Sequence, residues 1–229
     1  HFFDKALQRN YEDPERIAVH TTPASAFNGD LTLIARGPVG QIYLLFGDFT
    51  GHGLQAAMGT LPVQQAFFEL TQQGVVVSEL ARRINGYLHQ SMPESMFFAA
   101  NLIRFEPDYS SMELWLGGMP TACLADVNSE VLNLLESMQM PLGILEENEF
   151  DSSTCSIALP QGSRLYLFSD GVTERVDRDG SRIGEERVIE LLLSWPKEQR
   201  FTQLQEVLAK GGEGGDQQDD LSIVEVVCG

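Results

Sequence analysis

Four aspartates share one kind of local setting. Asp30 follows Asn28-Gly29 and opens an apolar run, and Asp48 closes the run from Ile42 to Phe46 just ahead of Gly51-His52-Gly53. Asp170 follows the run from Arg164 to Phe168, and Asp219, paired with Asp220, precedes the run from Leu221 to Val227. Each lies where a strand-like segment meets a turn. A carboxylate in that position can point into a cleft and offer oxygen to a hard cation. Magnesium and manganese favour such donors and keep some of their water. Two such ions, about 3.5–4 Å apart, can clamp a phosphoryl group during transfer. That chemistry needs one shared carboxylate and others on both sides, all carried on rigid strand ends. Taken singly, each aspartate is ordinary turn chemistry, so the convergence of the four rests on the fold.

The elements that must position them can be read from periodicity. Residues 16–24 and 31–35 alternate as strands, and Gly37-Pro38-Val39-Gly40 turns the chain into the strand that ends at Asp48. A helical stripe with Pro62 inside it spans 53–73, and a second spans 78–88. Short strands follow at 97–105, 112–116, 121–126, 131–135, 152–158 and 164–168, with turn residues between them. Helices are expected over 183–195 and 201–210, a glycine-rich loop over 211–218, and a last strand over 221–227. Because aspartate-bearing strands come from both halves, residues 16–229 are expected to form one α+β domain. The chain opens at His1, and residues 1–15 are expected to be a joint to a missing upstream domain.

Composition narrows the partners. With 15 Lys+Arg against 33 Asp+Glu, the 229-residue chain carries a formal charge of −18. That argues against nucleic acid or an anionic membrane as the main partner. Most of the excess is a solvated acidic surface, although it also suits a site that gathers cations. A hydrophobic content of 43% is enough for a real core. Cys123, Cys155 and Cys228 have no zinc or redox spacing and read as free thiols in a reducing compartment, so a cytoplasmic location is expected. No apolar run reaches transmembrane length.

The ordered set Asn28-Gly29-Asp30, Gly47-Asp48-Phe49-Thr50-Gly51-His52-Gly53, Pro141-Leu142-Gly143, Phe168-Ser169-Asp170-Gly171-Val172-Thr173-Glu174 and Asp219-Asp220-Leu221-Ser222 resembles the SpoIIE/RsbU-type branch of the metal-dependent (PPM, type 2C) serine/threonine phosphatases. Ile84-Asn85 matches the asparagine of that family's second helix. Within the branch, the chain is most similar to output domains of RssB-type stress response regulators. The resemblance implies two antiparallel sheets packed as a β-sandwich and flanked by helices, with two Mn²⁺ or Mg²⁺ ions at one edge. It implies that Asp48 bridges the ions, that Asp170 and Asp219 hold one, and that Asp30 and the Phe49 carbonyl help hold the other. Asp48, Asp170 and Asp219 are then the catalytic set, and Gly51, His52, Gly53 and Asp220 stand behind the ligands. The attacking group would be a metal-bridging hydroxide, with no phosphoenzyme. There are departures: Leu31-Thr32-Leu33 replaces a further downstream aspartate, which puts a third metal site in doubt, and Gly118 stands where many relatives have histidine.

His52 has two readings, a functional one as a proton donor to the leaving oxygen or a ligand, and a structural one as a residue that shapes the glycine turn, and the second is favoured. Arg36, Arg82 and Arg83 are candidates to hold the substrate phosphate, with none preferred. Thr173-Glu174 is expected to support the Asp170 turn. The leading function is removal of phosphate from a phosphoserine or phosphothreonine protein, an anti-sigma-factor antagonist by the resemblance, under an upstream receiver-like domain and with a homodimer possible. A different class, a phosphatase-like binding module acting as a sigma-factor adaptor, would have lost the ligand set that this chain keeps. Hydrolysis of a small phosphorylated metabolite is a third.

Overall fold

The computed structural model describes residues 11, 13–24, 29–50, 54–93, 95–128, 130–175, 182–210 and 219–229. The elements are β1 (Ile17–Thr22), β2 (Asp30–Arg36), β3 (Ile42–Phe49), α1 (Leu54–Gln72), α2 (Val77–Ser91), β4 (Phe98–Phe105), β5 (Ser111–Gly117), β6 (Ala122–Ala125), β7 (Val131–Leu135), β8 (Cys155–Ala158), β9 (Arg164–Phe168), α3 (Asp170–Thr173), α4 (Glu185–Ser194), α5 (Arg200–Lys210) and β10 (Leu221–Val227). One sheet has the order β1-β10-β9-β6-β7 and the other β2-β3-β4-β5-β8. Every strand pairing is antiparallel.

Alternation along the central strands explains the layering. In β3, Leu44 and Phe46 point between the sheets, where they meet Leu165, Leu167, Val224 and Val226. Tyr43 and Leu45 point the other way, onto Phe67, Leu80, Ile84 and Leu88 of α1 and α2. In β9 and β10, Tyr166, Phe168 and Ile223 leave the central core and pack against Val188, Leu192, Leu204 and Leu208 of α4 and α5. The result is an α-β-β-α sandwich in which the inner strands are apolar on both faces. None of the helices among the described residues is long and apolar enough to cross a membrane.

Boundaries moved where local chemistry intervened. The strand expected from residue 152 begins at Cys155, because the Asp151 side chain accepts the Ser153 N–H at 2.9 Å and spends that stretch on a turn. The helix expected from residue 183 begins at Glu185, after Gly184 at φ 77°. The turn expected at Asp170 is a single helical turn, α3. α1 continues on both sides of Pro62. Residues 1–10 and the 211–218 loop lie outside the described residues.

Candidate functional site

The hairpin of β2 and β3 brings the first two aspartates together. Arg36 pairs with Ile42 beside the turn, and the register then sets Asp30 directly opposite Asp48. Asp30 is buried and Asp48 half-buried. The end of β3 is clamped from both sides. The Phe49 ring stacks on Phe98 with centroids 4.4 Å apart, and a Cβ on Gly59 of α1 would stand 2.7 Å from it. This fixes the backbone that carries Asp48 and the Phe49 carbonyl. Phe49 N–H donates to the Gly29 carbonyl at 3.3 Å. A Cβ on Gly29 would lie 2.9 Å from Asp48 Oδ1 and 3.2 Å from the Phe49 oxygen. Glycine there leaves both oxygens an open face.

The other sheet contributes from the ends of β9 and β10. Ser169 N–H donates to the Ser222 carbonyl at 3.0 Å. The Ser169 hydroxyl accepts from Ser222 N–H at 2.9 Å and donates to the Asp220 carbonyl at 3.2 Å. Asp170 opens α3, and the Asp170 carbonyl accepts from Glu174 N–H at 2.7 Å and the Thr173 hydroxyl at 3.1 Å. Gly171 packs so tightly that a Cβ would stand 2.1 Å from the Asp220 carbonyl oxygen. Asp219 accepts the Asp220 N–H at 2.9 Å. Both Asp220 carboxylate oxygens are engaged by backbone donors, Ala24 N–H and Gly29 N–H, each at 2.7 Å. Asp220 therefore ties the start of β10 to the segment that leads into β2, and so links the two sheets at this end.

Burial and neighbouring charge both act on these carboxylates. Asp48 is pushed up to about 9, first by burial and then by repulsion from Asp30, Asp170, Asp219 and Asp220. Burial raises Asp30 to about 7, although Ser222 and Ser169 hydrogen bonds pull against it. Asp170 is raised by burial and then by Asp219. Carboxylates from both sheets thus feel one another in a partly dry cleft. An all-oxygen donor set suits magnesium or manganese rather than zinc or copper, and the space beside Gly29 leaves room for an ion against Asp48 and the Phe49 carbonyl. Among the described residues no three acidic, histidine or cysteine side chains are already gathered at metal-holding geometry. Gly51, His52 and Gly53 lie outside the described residues.

Of the candidate arginines, Arg36 sits at the other end of β2, six residues from Asp30 and about 20 Å away at strand rise. Arg82 and Arg83 pair with Glu79, and Arg82 also with Glu147. Three supports were invisible to local pattern: the two backbone bonds of Asp220, the Ser169–Ser222 clasp, and the reach of Asn85. Asn85 is buried in α2, accepts from Gly143 N–H at 2.8 Å and donates to the Leu145 carbonyl at 2.9 Å. It anchors the Pro141-Leu142-Gly143 loop, and Leu142 in turn exchanges two 2.9 Å bonds with Phe98.

Comparison with known proteins agrees with this frame. The phosphoserine phosphatase RsbP of Bacillus subtilis is 25% identical over 166 residues, covering 71% of this chain and 40% of its own length. The phosphoserine phosphatase RsbU of the same organism is 24% identical over 163 residues, covering 71% and 48%. The chain thus spans less than half the length of either. Among solved structures, the SiaA-PP2C domain of Pseudomonas aeruginosa superposes with a TM-score of 0.80 at 17% identity, covering 93% of this chain and 86% of that one. RsbX in complex with magnesium gives 0.70 at 14%, covering 95% and 98%. These likenesses establish the PP2C-type sandwich. The model of the family described as Stage II sporulation protein E (SpoIIE) matches residues 38–228, most of the length, and the chain belongs to that family.

Proposed function

We propose that this chain is a metal-dependent protein serine/threonine phosphatase, with Asp48, Asp170 and Asp219 as its catalytic carboxylates. The observation that carries the reading is geometric: Asp30 lies directly opposite Asp48 on one sheet, and Asp170 and Asp219 meet at the ends of β9 and β10 on the other, at the same end of the sandwich. Such a cluster is costly without cations and well matched to them. Asp30, Asp48, the Phe49 carbonyl, Asp170 and Asp219 would hold two divalent ions, manganese or magnesium. When bound, the ions neutralise phosphoryl charge and make water more acidic. The protein's own part is positional. The Phe49–Phe98 stack and Gly59 hold the end of β3, Asp220 holds the approach to β2, and the Gly171 contact holds α3 against the start of β10. Pre-set charge of this kind costs no reorganisation during reaction. The substrate is a phosphorylated regulatory protein, with an anti-sigma-factor antagonist as the expected kind, and the chain works in the cytoplasm as an output domain under an upstream receiver-like domain.

The test is Asp48→Asn, assayed with manganese on a phosphoserine peptide. Loss of about 10²-fold or more in kcat is expected from removing this charge, with circular dichroism and thermal unfolding showing a folded protein. A folded variant with near-normal turnover would overturn the two-ion assignment.

A further inference from the structure

β7 forms one border of its sheet. β6 pairs with one side, and among the described residues no strand pairs with the other. Edge strands are ordinarily blunted by lysine, proline, a bulge or a covering helix. β7 has no lysine and no proline, and instead Val131, Leu132 and Leu134 are 43%, 40% and 51% exposed. The register against β6 shifts once, because Leu124 faces Asn133 and Ala125 faces Val131, so Leu132 is the extra residue of a bulge in β7 and the regular edge runs from Asn133 to Leu135. The chain then runs into a pinned segment. Gln139 N–H donates to the Leu116 carbonyl at 3.1 Å, the Ser137 hydroxyl donates to the same carbonyl at 3.3 Å, and Gly118 N–H donates to Ser137. Held there, Met138 and Met140 are 87% and 51% exposed. Apolar, adaptable side chains displayed on a fixed backbone mark an interaction surface.

This surface leads to the carboxylates. Leu135 pairs with Ala122, at the end of β6 that lies beside the C-terminal end of β9, where Asp170 follows. The pinned segment continues through Pro141 to Leu142, which bridges to Phe98 beneath Phe49. Charge selects the occupant. Residues 105–163 contain ten acidic residues and no lysine or arginine, and exposed Glu130 and Glu136 bracket β7. A second copy would bring the same acidic bracket edge to edge, and like charges juxtaposed at an interface are costly.

We propose that β7 and the segment to Met140 dock the protein substrate, which adds to the sheet an extended strand of alternating apolar side chains flanked by lysine or arginine. Backbone pairing would supply affinity, and the apolar and basic positions would supply choice. The inference rests on the phosphatase reading for the chemistry, though not for the docking. Strand spacing makes it quantitative. An added strand lies three spacings from β9, about 14 Å, which an extended chain crosses in about four to five residues. The phosphoserine is therefore expected about five residues from the paired segment.

Three synthetic phosphoserine peptides test this on the 229-residue chain with manganese. The first carries Val-Lys-Val-Arg-Val five residues from the phosphoserine, the second carries glutamate at the basic positions, and the third carries Gly-Ser throughout that segment. The first should show kcat/KM at least about tenfold above the others, mostly through KM, as for loss of a central interface anchor. The double variant Leu134→Glu with Met138→Glu should erase that preference while leaving p-nitrophenyl phosphate turnover in place. Equal kcat/KM for all three peptides, or a preference that survives the double variant, would overturn the proposal. So would a dimer in sedimentation that the double variant splits without changing peptide KM, since the occupant would then be a second copy. Fluorescence anisotropy of the unphosphorylated first peptide separates the two readings. Binding without any turnover would support the surface and sink the phosphatase reading, and turnover without preference would do the reverse.

Discussion

A methyl group on Gly171 would stand 2.1 Å from a backbone oxygen of Asp220, so Gly171→Ala must push α3 away from the start of β10. Overpacking of this kind costs about 1–3 kcal/mol, and it would separate Asp170 from Asp219. We expect a loss of a few degrees in Tm and a clear rise in the manganese concentration for half-maximal rate. A metal titration that matches the unaltered protein would show that the two carboxylates do not work together. Asp220 gives a graded companion. Asp220→Ala leaves the N–H groups of Ala24 and Gly29 without their acceptor, at about 1–3 kcal/mol for each buried donor left unmade. Asp220→Asn keeps one acceptor oxygen, so thermal unfolding should place it about midway between the alanine variant and the parent. Equal destabilisation by both would mean that charge rather than hydrogen bonding is at stake. The aspartates themselves were legible, because strand-end carboxylates beside glycine carry a local signature. The partners of Asp220 were not, since Ala24 and Gly29 lie almost the whole chain away and no periodicity reports such a bond.

Elements show the same division. The two strands of the β2–β3 hairpin and the Gly37–Gly40 turn between them were readable, whereas the register that pairs Arg36 with Ile42 and carries Asp30 opposite Asp48 came from the fold. The strands of the second sheet were readable as segments, but their order was not. β1 pairs with β10 from the far end of the chain and not with its neighbour β2, a choice made by tertiary burial and not by turn chemistry. Asn85 illustrates what lies between these cases. Its place in α2 was plain, yet its task, holding Gly143 and Leu145, needs the three-dimensional fold. Asn85→Ala removes one acceptor and one donor from a partly buried loop junction, at about 1–3 kcal/mol for each group left unmade and about 2–6 kcal/mol in sum. We expect faster amide exchange at Gly143, which loses its acceptor, together with a lower Tm. Unchanged exchange there would show that the Leu142–Phe98 bridge holds the loop alone.

At the scale of the whole molecule, the acid cluster couples folding to pH and to metal. An aspartate in the unfolded chain titrates near 3.8, whereas Asp30 and Asp48 in the folded, metal-free protein are raised to about 7 and about 9. The folded state therefore holds protons that the unfolded state releases. Stability from these groups is fully present below about pH 4 and is lost as pH rises, through about 7 for Asp30 and about 9 for Asp48. Other acids on the chain act in the opposite sense at low pH, so the signature is sought between pH 6 and 9, where ordinary carboxylates no longer titrate. With chelator present, Tm should fall across that interval. Divalent cations replace the protons, so manganese should flatten the slope and raise Tm most at the alkaline end. The same exchange can be counted. Calorimetry in buffers of different ionisation enthalpy should show about two protons released per chain near pH 5.5 and about one near pH 8, since Asp30 is already ionised at the higher pH. Asp48→Asn should remove one proton from each count. Proton release independent of pH, or a metal-free Tm that rises from pH 6 to 9, would mean that these carboxylates do not share one buried, mutually repelling site.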